Sequence, residues 1–245
     1  MSSRRIFATA KRLLEQLRHD PRTVLLLLAV PLVLMILLRY LFGSQLVEFN
    51  QLAPMLIALF PFTIMFVVTS IAMLRERMTG TLERLLTSPI SKLEILLGYG
   101  LGFGILAVLQ VALVLLLTFG PLDMRISGSI SMLLVFSVLD ALMGTALGLL
   151  LSAFANSEFQ AVQFLPAFIF PQMLLSGIFI PRDQMPQALR YLSDLLPLSY
   201  AIDGASRTSL TKIWTLASSI DLSVVVIAIP LALALGALTL KRQTN

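Results

Sequence analysis

The sequence predicts an all-α polytopic membrane protein with six transmembrane helices, and three observations carry that prediction. Of its 245 residues 58% are hydrophobic and 13% charged, against about 45–50% and about 25% in soluble domains. The mean hydropathy is +0.92. Six apolar stretches each reach the about 20 residues that one helical crossing needs: Thr23 to Phe42, Leu52 to Leu74, Ile95 to Phe119, Ile130 to Phe154, Phe159 to Ile180 and Leu222 to Leu240. Six crossings use most of this length and leave no room within it for a separate enzymatic domain.

Composition also excludes chemistries. With no cysteine, disulfides, thiolate metal sites and a cysteine nucleophile are ruled out together. The single histidine, His19, lies in a polar N-terminal stretch, so neither a serine–histidine nor an H-E-x-x-H intramembrane protease can be assembled. The formal net charge of +5 reads as topology and anionic lipid rather than nucleic acid. Twelve Lys and Arg fall before the first span, between Arg75 and Lys92, and after the sixth span; six fall on the other side. The positive-inside rule therefore predicts cytoplasmic N- and C-termini. No A-x-A site follows Phe42, so the first span is expected to remain as an anchor.

Each element has a local reason. Ile6, Phe7, Ala10, Leu13, Leu14 and Leu17 recur at helical spacing among Arg4, Arg5, Lys11, Arg12 and Arg18, which predicts a basic amphipathic helix on the inner leaflet, with Ser2 or Ser3 as N-cap. Pro21 breaks it before the first span, where Arg39 is placed to snorkel. Between the second and third spans, Gly80 breaks the chain, Leu82, Leu85 and Leu86 form a short apolar edge, and Ser88-Pro89 ends it. Ser91 and Glu94 form a capping box for the next helix. This charged segment suits either docking on another protein or a plain connection.

Within the spans, Gly98 with Gly102, and Gly144 with Gly148, offer small faces for close helix packing. The run Gly98, Gly100, Gly102, Gly104 has no preceding strand and no following lysine, so it is not a phosphate loop. Asp140 is the one ionisable residue deep in an apolar stretch, on the same helical face as Gly144 and Gly148. An interhelical contact and a proton-coupling role are both open to it. The fifth span carries Gln160, Gln163, Pro166, Pro171, Gln172 and Ser176, and the second carries Pro54, Pro61, Thr63 and Thr69. Kinked, polar helices of this kind are candidates to line a path, with Thr63, Thr69, Gln163, Gln172 and Ser176 as its polar groups. Between Pro181 and Asp221, Pro186 starts a short helix that Pro197 stops, and the apolar run Leu198 to Ala205 is too short to cross. These pieces suit a cap or re-entrant helices.

Two of these motifs also resemble a known family. Arg75-Glu76-Arg77, Gly80-Thr81-Leu82-Glu83-Arg84-Leu85-Leu86, Thr87-Ser88-Pro89 and Gly98 are similar to the inner loop of type-2 ABC transporter permeases of bacterial exporters. So are Leu175-Ser176-Gly177-Ile178-Phe179-Ile180-Pro181, Met185-Pro186, Leu196-Pro197-Leu198-Ser199-Tyr200-Ala201 and Asp203. The resemblance implies an interfacial helix over 1–21 and a six-span permease domain over 22–245. It implies a cytoplasmic coupling helix between the second and third spans, and short re-entrant helices before the last. Arg75, Glu76, Gly80, Thr81, Leu82, Glu83, Leu86 and Pro89 would then couple to an ATPase.

No G-x-x-x-x-G-K-[ST] loop occurs in the chain. On the resemblance, this chain binds no cofactor, and ATP and Mg sit on separate ATP-binding subunits. Two such copies are expected, with a second permease, identical or related, in a bacterial cytoplasmic membrane. The solute expected is hydrophobic or amphiphilic: drug-like, peptide or lipidic, with saccharide export open. Compared with the large lipid and sterol exporters of this broad family, no sizeable outer domain is expected, which counts against bulky outer partners. Two other classes stay in view: a proton-coupled carrier using Asp140, and a non-transport membrane component of a sensor or assembly complex.

Overall fold

The computed structural model describes residues 2–87 and 89–239, without the side chain of Leu86. Leu86 as a contact residue, Ser88 as part of the stop signal, and Leu240 as the end of the last span lie outside the described residues. Among the described residues all regular structure is helical. Five helices among the described residues are long and apolar enough to cross a membrane, so the protein is a multi-pass helical membrane protein.

Helix α1, Ser3–Arg18, forms where the amphipathic pattern predicts, although Ser2 caps it without a side-chain hydrogen bond. It does not lie free. Thr9, Ala10, Leu13 and Leu17 are buried, and the helix is seated on α5, Lys92–Phe119. The seat exists because two glycines of α5 lack side chains. A Cβ on Gly98 would lie 2.5 Å from Thr9 Cβ, and one on Gly102 would lie 2.8 Å from Leu13 Cδ2. Both distances are below any ordinary contact, so the small face expected to serve close helix packing is occupied by the N-terminal helix.

Helix α2, Pro21–Phe42, begins with Asp20 as N-cap and proline at N1, a sequence suited to a helix start. Pro31 inside α2 deprives the Leu27 carbonyl of its helical donor, and the buried Gln110 of α5 supplies one, Nε2 to oxygen at 2.6 Å. At the far end Arg39, expected to snorkel, donates to the Leu122 carbonyl at 3.2 Å and lies 5.6 Å over the Phe49 ring. Helix α3, Leu46–Met78, has 33 residues, about 50 Å at 1.5 Å per residue. It outruns the hydrocarbon core of about 30 Å, and its last turn carries Arg75, Glu76 and Arg77 beyond the apolar stretch. The predicted span 52–74 is thus extended at both ends.

Gly80 then adopts φ +70°, a left-handed conformation open to glycine at little cost, and α4, Thr81–Thr87, follows. The Ser91–Glu94 capping box opens α5 as expected. Helix α6, Ile130–Leu151, extends through a 3₁₀ turn to Phe154 and forms the centre of the molecule with α3. A Cβ on Gly144 would meet Phe62 O at 2.2 Å, and one on Gly148 would meet Phe66 O at 2.4 Å. The two helices therefore touch backbone to backbone, as small residues allow inside a membrane.

The predicted fifth span, 159–180, is not one regular α-helix. It consists of α7, Glu158–Phe164, a π-helical turn over Leu165–Ile169, and α8, Phe170–Leu175. Pro166 and Pro171 each remove a helical donor, and a π-turn is a usual way for a helix to absorb such a fault. The run stops at Leu175 because Gly177 turns at φ +96°. Helix α9, Gln187–Asp194, and α10, Pro197–Leu210, follow. Pro197 both ends the first and starts the second. The last helix, α11, Leu216–Thr239, begins six residues before the predicted Leu222.

Candidate functional site

Three regions hold the residues singled out by sequence. At the α1 end, Glu76 turns inward. It is 9% exposed, accepts from Arg12 at 3.4 and 3.5 Å and from Gln16 Nε2 at 3.2 Å. Arg12 also donates to the hydroxyl of the buried Tyr99 and lies over its ring. Beside it Arg75 turns to α7, with Nε and NH2 donating to Glu158 at 2.7 and 3.0 Å. That guanidinium holds the Glu158 carboxyl below its ordinary range. Arg77 donates to the Ser152 and Ala155 carbonyls at 2.5 and 3.4 Å, tying the end of α3 to the end of α6. Glu94, besides its capping role, accepts from the Ser2 amide at 2.6 Å and pairs with Arg5 at 3.6 Å.

Helix α4 hangs from this assembly. Leu82 is 3% exposed and belongs to the main core, while Glu83, Arg84, Thr87 and Pro89 are exposed. The Thr79 and Thr81 hydroxyls lie 3.0 Å apart across Gly80. Of the eight residues expected to face a partner, Glu83 and Pro89 are turned outward with Arg75 half out. Glu76 and Leu82 serve the fold.

The polar groups proposed for a path are not gathered in one place. Thr63 donates to Leu59 O within its own helix. Thr69 is fully buried in the α3–α6 seam, donating to Met65 O at 2.7 Å and reaching Thr145 O at 3.3 Å. Gln172 and Ser176 are buried, donating to Phe168 O and Met173 O, and Gln163 is exposed on α7. None of the five lines the cavity of about 820 Å³ that opens between α1, α2, α3 and α7. Its walls include residues the sequence did not single out, Gln16, Asp20, Thr23 and Tyr99. Asp20 accepts from the Thr23 amide at 3.2 Å and hydroxyl at 2.6 Å, and these bonds, the hydroxyl's first, hold its carboxyl below the usual range. The one legible signal was Asp-Pro at a helix start.

Asp140 is fully buried, and neither carboxylate oxygen has a hydrogen-bond partner among the described residues. At the end of the molecule away from α1, Arg182 bridges Asp203 at 2.7 Å and Asp194 under the Tyr200 ring. Arg207 continues the chain from Asp203, 3.6 Å, to Asp221, 2.9 Å. The Ser193 and Ser199 hydroxyls reach the Leu175 carbonyl at 2.7 and 3.3 Å. The sequence predicts a cap or re-entrant pieces between Pro181 and Asp221 but not this chain of ion pairs, whose charges are spread over 40 residues. Among the described residues no group of acidic or histidine side chains could hold a metal.

The described residues thus form a multi-pass helical membrane domain with α1 packed on α5, the short helix α4 following the longest helix, and a network of ion pairs joining α10 and α11 to the segment before α9. The sequence model of the family described as ABC-2 type transporter matches residues 4–209, and the chain belongs to that family. Among its relatives, the probable multidrug ABC transporter permease YbhR of Escherichia coli (strain K12) is 31% identical over 150 residues, 61% of this chain and 41% of YbhR. YbhS, named likewise, is 29% identical over 165 residues, 67% of this chain and 44% of YbhS. ABC transporter G family member 20 of Dictyostelium discoideum is 28% identical over 159 residues, 65% of this chain and 22% of that protein. The matched stretches thus cover less than half the length of each of these relatives.

Proposed function

We propose that the chain is the membrane-spanning permease subunit of an ABC exporter, moving a hydrophobic or amphiphilic solute out across a bacterial cytoplasmic membrane. The observation that carries this reading is the mounting of α4. Its apolar side is buried at Leu82, its charged side faces outward at Glu83 and Arg84, and the helix beside it is clamped to α1, α6 and α7 by Glu76, Arg77 and Arg75. A push on Glu83 is delivered to a rigid seat and from there into α3. Family membership and the names of the relatives support the same reading.

On this proposal the broken run α7–α8 is the fifth of six crossings, with α9 and α10 as re-entrant pieces at the outer face. Both termini are cytoplasmic, consistent with the positive-inside bias. Two permease copies, the same or related, each sit on an ATP-binding subunit that holds ATP and Mg.

The test is co-expression with a candidate ATPase subunit, purification through a tag on this chain, and ATP hydrolysis in lipid nanodiscs against a panel of solutes. Hydrolysis stimulated by a solute, and lost with Glu83→Ala or Gly80→Pro, is the expected result. The unpartnered Asp140 favours one second reading, a proton-driven carrier. That reading requires transport driven by an imposed pH gradient, without an ATPase, and abolished by Asp140→Asn; the exporter reading requires a mild effect of that substitution.

A further inference from the structure

The face of α3 turned away from α6 borders the cavity of about 820 Å³, a size within the range of about 300–1,000 Å³ found for drug-sized ligands. Its lining is graded. Away from α1 the walls are apolar, with Leu26 and Val30 from α2, Ile64, Val68 and Ile71 from α3, and Leu165 from the π-turn. Towards α1 polar groups, Gln16, Asp20, Thr23, Arg75, Glu76 and Thr79, join the apolar Leu13 and Leu17. From Ile64 to Glu76 the floor runs along one helix for twelve rises, about 18 Å at 1.5 Å per residue. Such a site accepts a molecule with an apolar body and a polar end.

The sign of that end follows from which charges are already met. Arg75 is held bidentately by Glu158, and Glu76 lies between Arg12 and Gln16. Asp20 is different. It accepts only from Thr23, and none of the ion pairs within 4 Å among the described residues includes it. Arg75 and Arg22 act on it only from a distance, and its Thr23 bonds keep it ionised at neutral pH. One carboxylate without a counter-ion thus stands at the polar end of an apolar cavity.

We infer that this cavity binds a lipophilic monovalent cation, with its apolar body against α2 and α3 and its charge at Asp20. The inference deepens the exporter reading and rests on it for the meaning of the site as a point of solute entry. Binding itself can be measured on the permease alone, so the two can fail separately.

The experiment is equilibrium binding of labelled tetraphenylphosphonium to the purified permease in phosphatidylcholine nanodiscs, with empty nanodiscs subtracted. Tetraphenylborate, of the same shape and opposite charge, serves as control. Saturable binding of the phosphonium and none of the borate is expected. Asp20→Asn keeps a good N-cap and removes only the charge; it is expected to weaken binding at least about tenfold, while Asp20→Glu retains it and Val68→Trp, which fills the cavity, abolishes it. Equal binding of the borate, or an unchanged Kd in Asp20→Asn, overturns the inference. So does the absence of saturable binding, as when a lipid ammonium headgroup or a second permease copy fills the space. Loss of phosphonium binding alongside solute-stimulated ATP hydrolysis would leave the exporter reading standing without this site. Phosphonium binding with no ATPase partner would do the reverse.

Discussion

The two sides of α3 are built on opposite principles. Towards α6 the backbones touch at Gly144 and Gly148, and Thr69 bridges the seam. Towards α2 and α7 there is a cavity, and α2 buries only 17% of its most apolar stretch, against 61% for α6 with its 3₁₀ turn. In a bilayer, lipid is as apolar as leucine, so burial of apolar side chains does not by itself hold helices together; close packing and hydrogen bonds do. The α6 side is therefore a fixed frame. The α2 side has its polar ties at separate points, Arg39 to Leu122 O, Gln110 to Leu27 O and Arg75–Glu158, and on the exporter proposal it is the side that changes shape around a solute.

The largest way to break this contrast is to fill the seam. Gly144→Val would drive a side chain into the Phe62 carbonyl and is expected to cost about 3 kcal/mol or more, read as loss of a monodisperse, thermally cooperative species. Next is the clamp at the α1 end. Glu76→Ala leaves Arg12, 29% exposed at its side chain, without its acid; a loss of about 2–4 kcal/mol is expected, with α1 becoming the first site of limited proteolysis.

Smaller effects sharpen the comparison on the open side. Arg75→Gln removes an ion pair whose members are about half exposed, 54% and 46% at their side chains, so no more than about 1 kcal/mol is expected. Its pH signature has a definite sign. Folding lowers the Glu158 pKa below its ordinary 4.5, so the pair's stabilisation is present above that value and fades as pH falls towards the lowered one. Melting temperatures of the parent and Arg75→Gln proteins should therefore converge on acidification below about pH 4.5. Smallest for stability is Glu83→Ala, an exposed position, expected within about 0.5 kcal/mol of the parent while ATP coupling is lost.

Local rules were legible in the sequence. The Ser91–Glu94 box, the Pro197 boundary, the amphipathic α1 and the crowding at Gly144 and Gly148 each follow from spacing a few residues long. What lay outside the sequence's reach was pairing at a distance. Gly98 and Gly102 advertised a small face but not that α1, some 90 residues earlier, would occupy it. Glu76 read as a surface acid of a docking loop because its partners Arg12 and Gln16 come from α1. The cavity draws on residues from Leu13 to Leu165, and no window along the chain contains it. The fifth span reads in the sequence as one crossing, polar and kinked at its prolines. The two prolines that divide it were visible, but whether they bend a helix or break it depends on what stands ready to satisfy the freed carbonyls.

On the proposed function the outward face of α4 meets the ATP-driven partner. Since the chain has no cysteine, Glu83→Cys and Arg190→Cys each place a single thiol, one on α4 and one on α9. With a thiol-to-amine cross-linker on the co-purified complex, Glu83→Cys should capture the ATP-binding subunit, more strongly with than without nucleotide, and Arg190→Cys should not. Equal capture from both positions, or none from Glu83→Cys in a complex that hydrolyses ATP, would contradict the account.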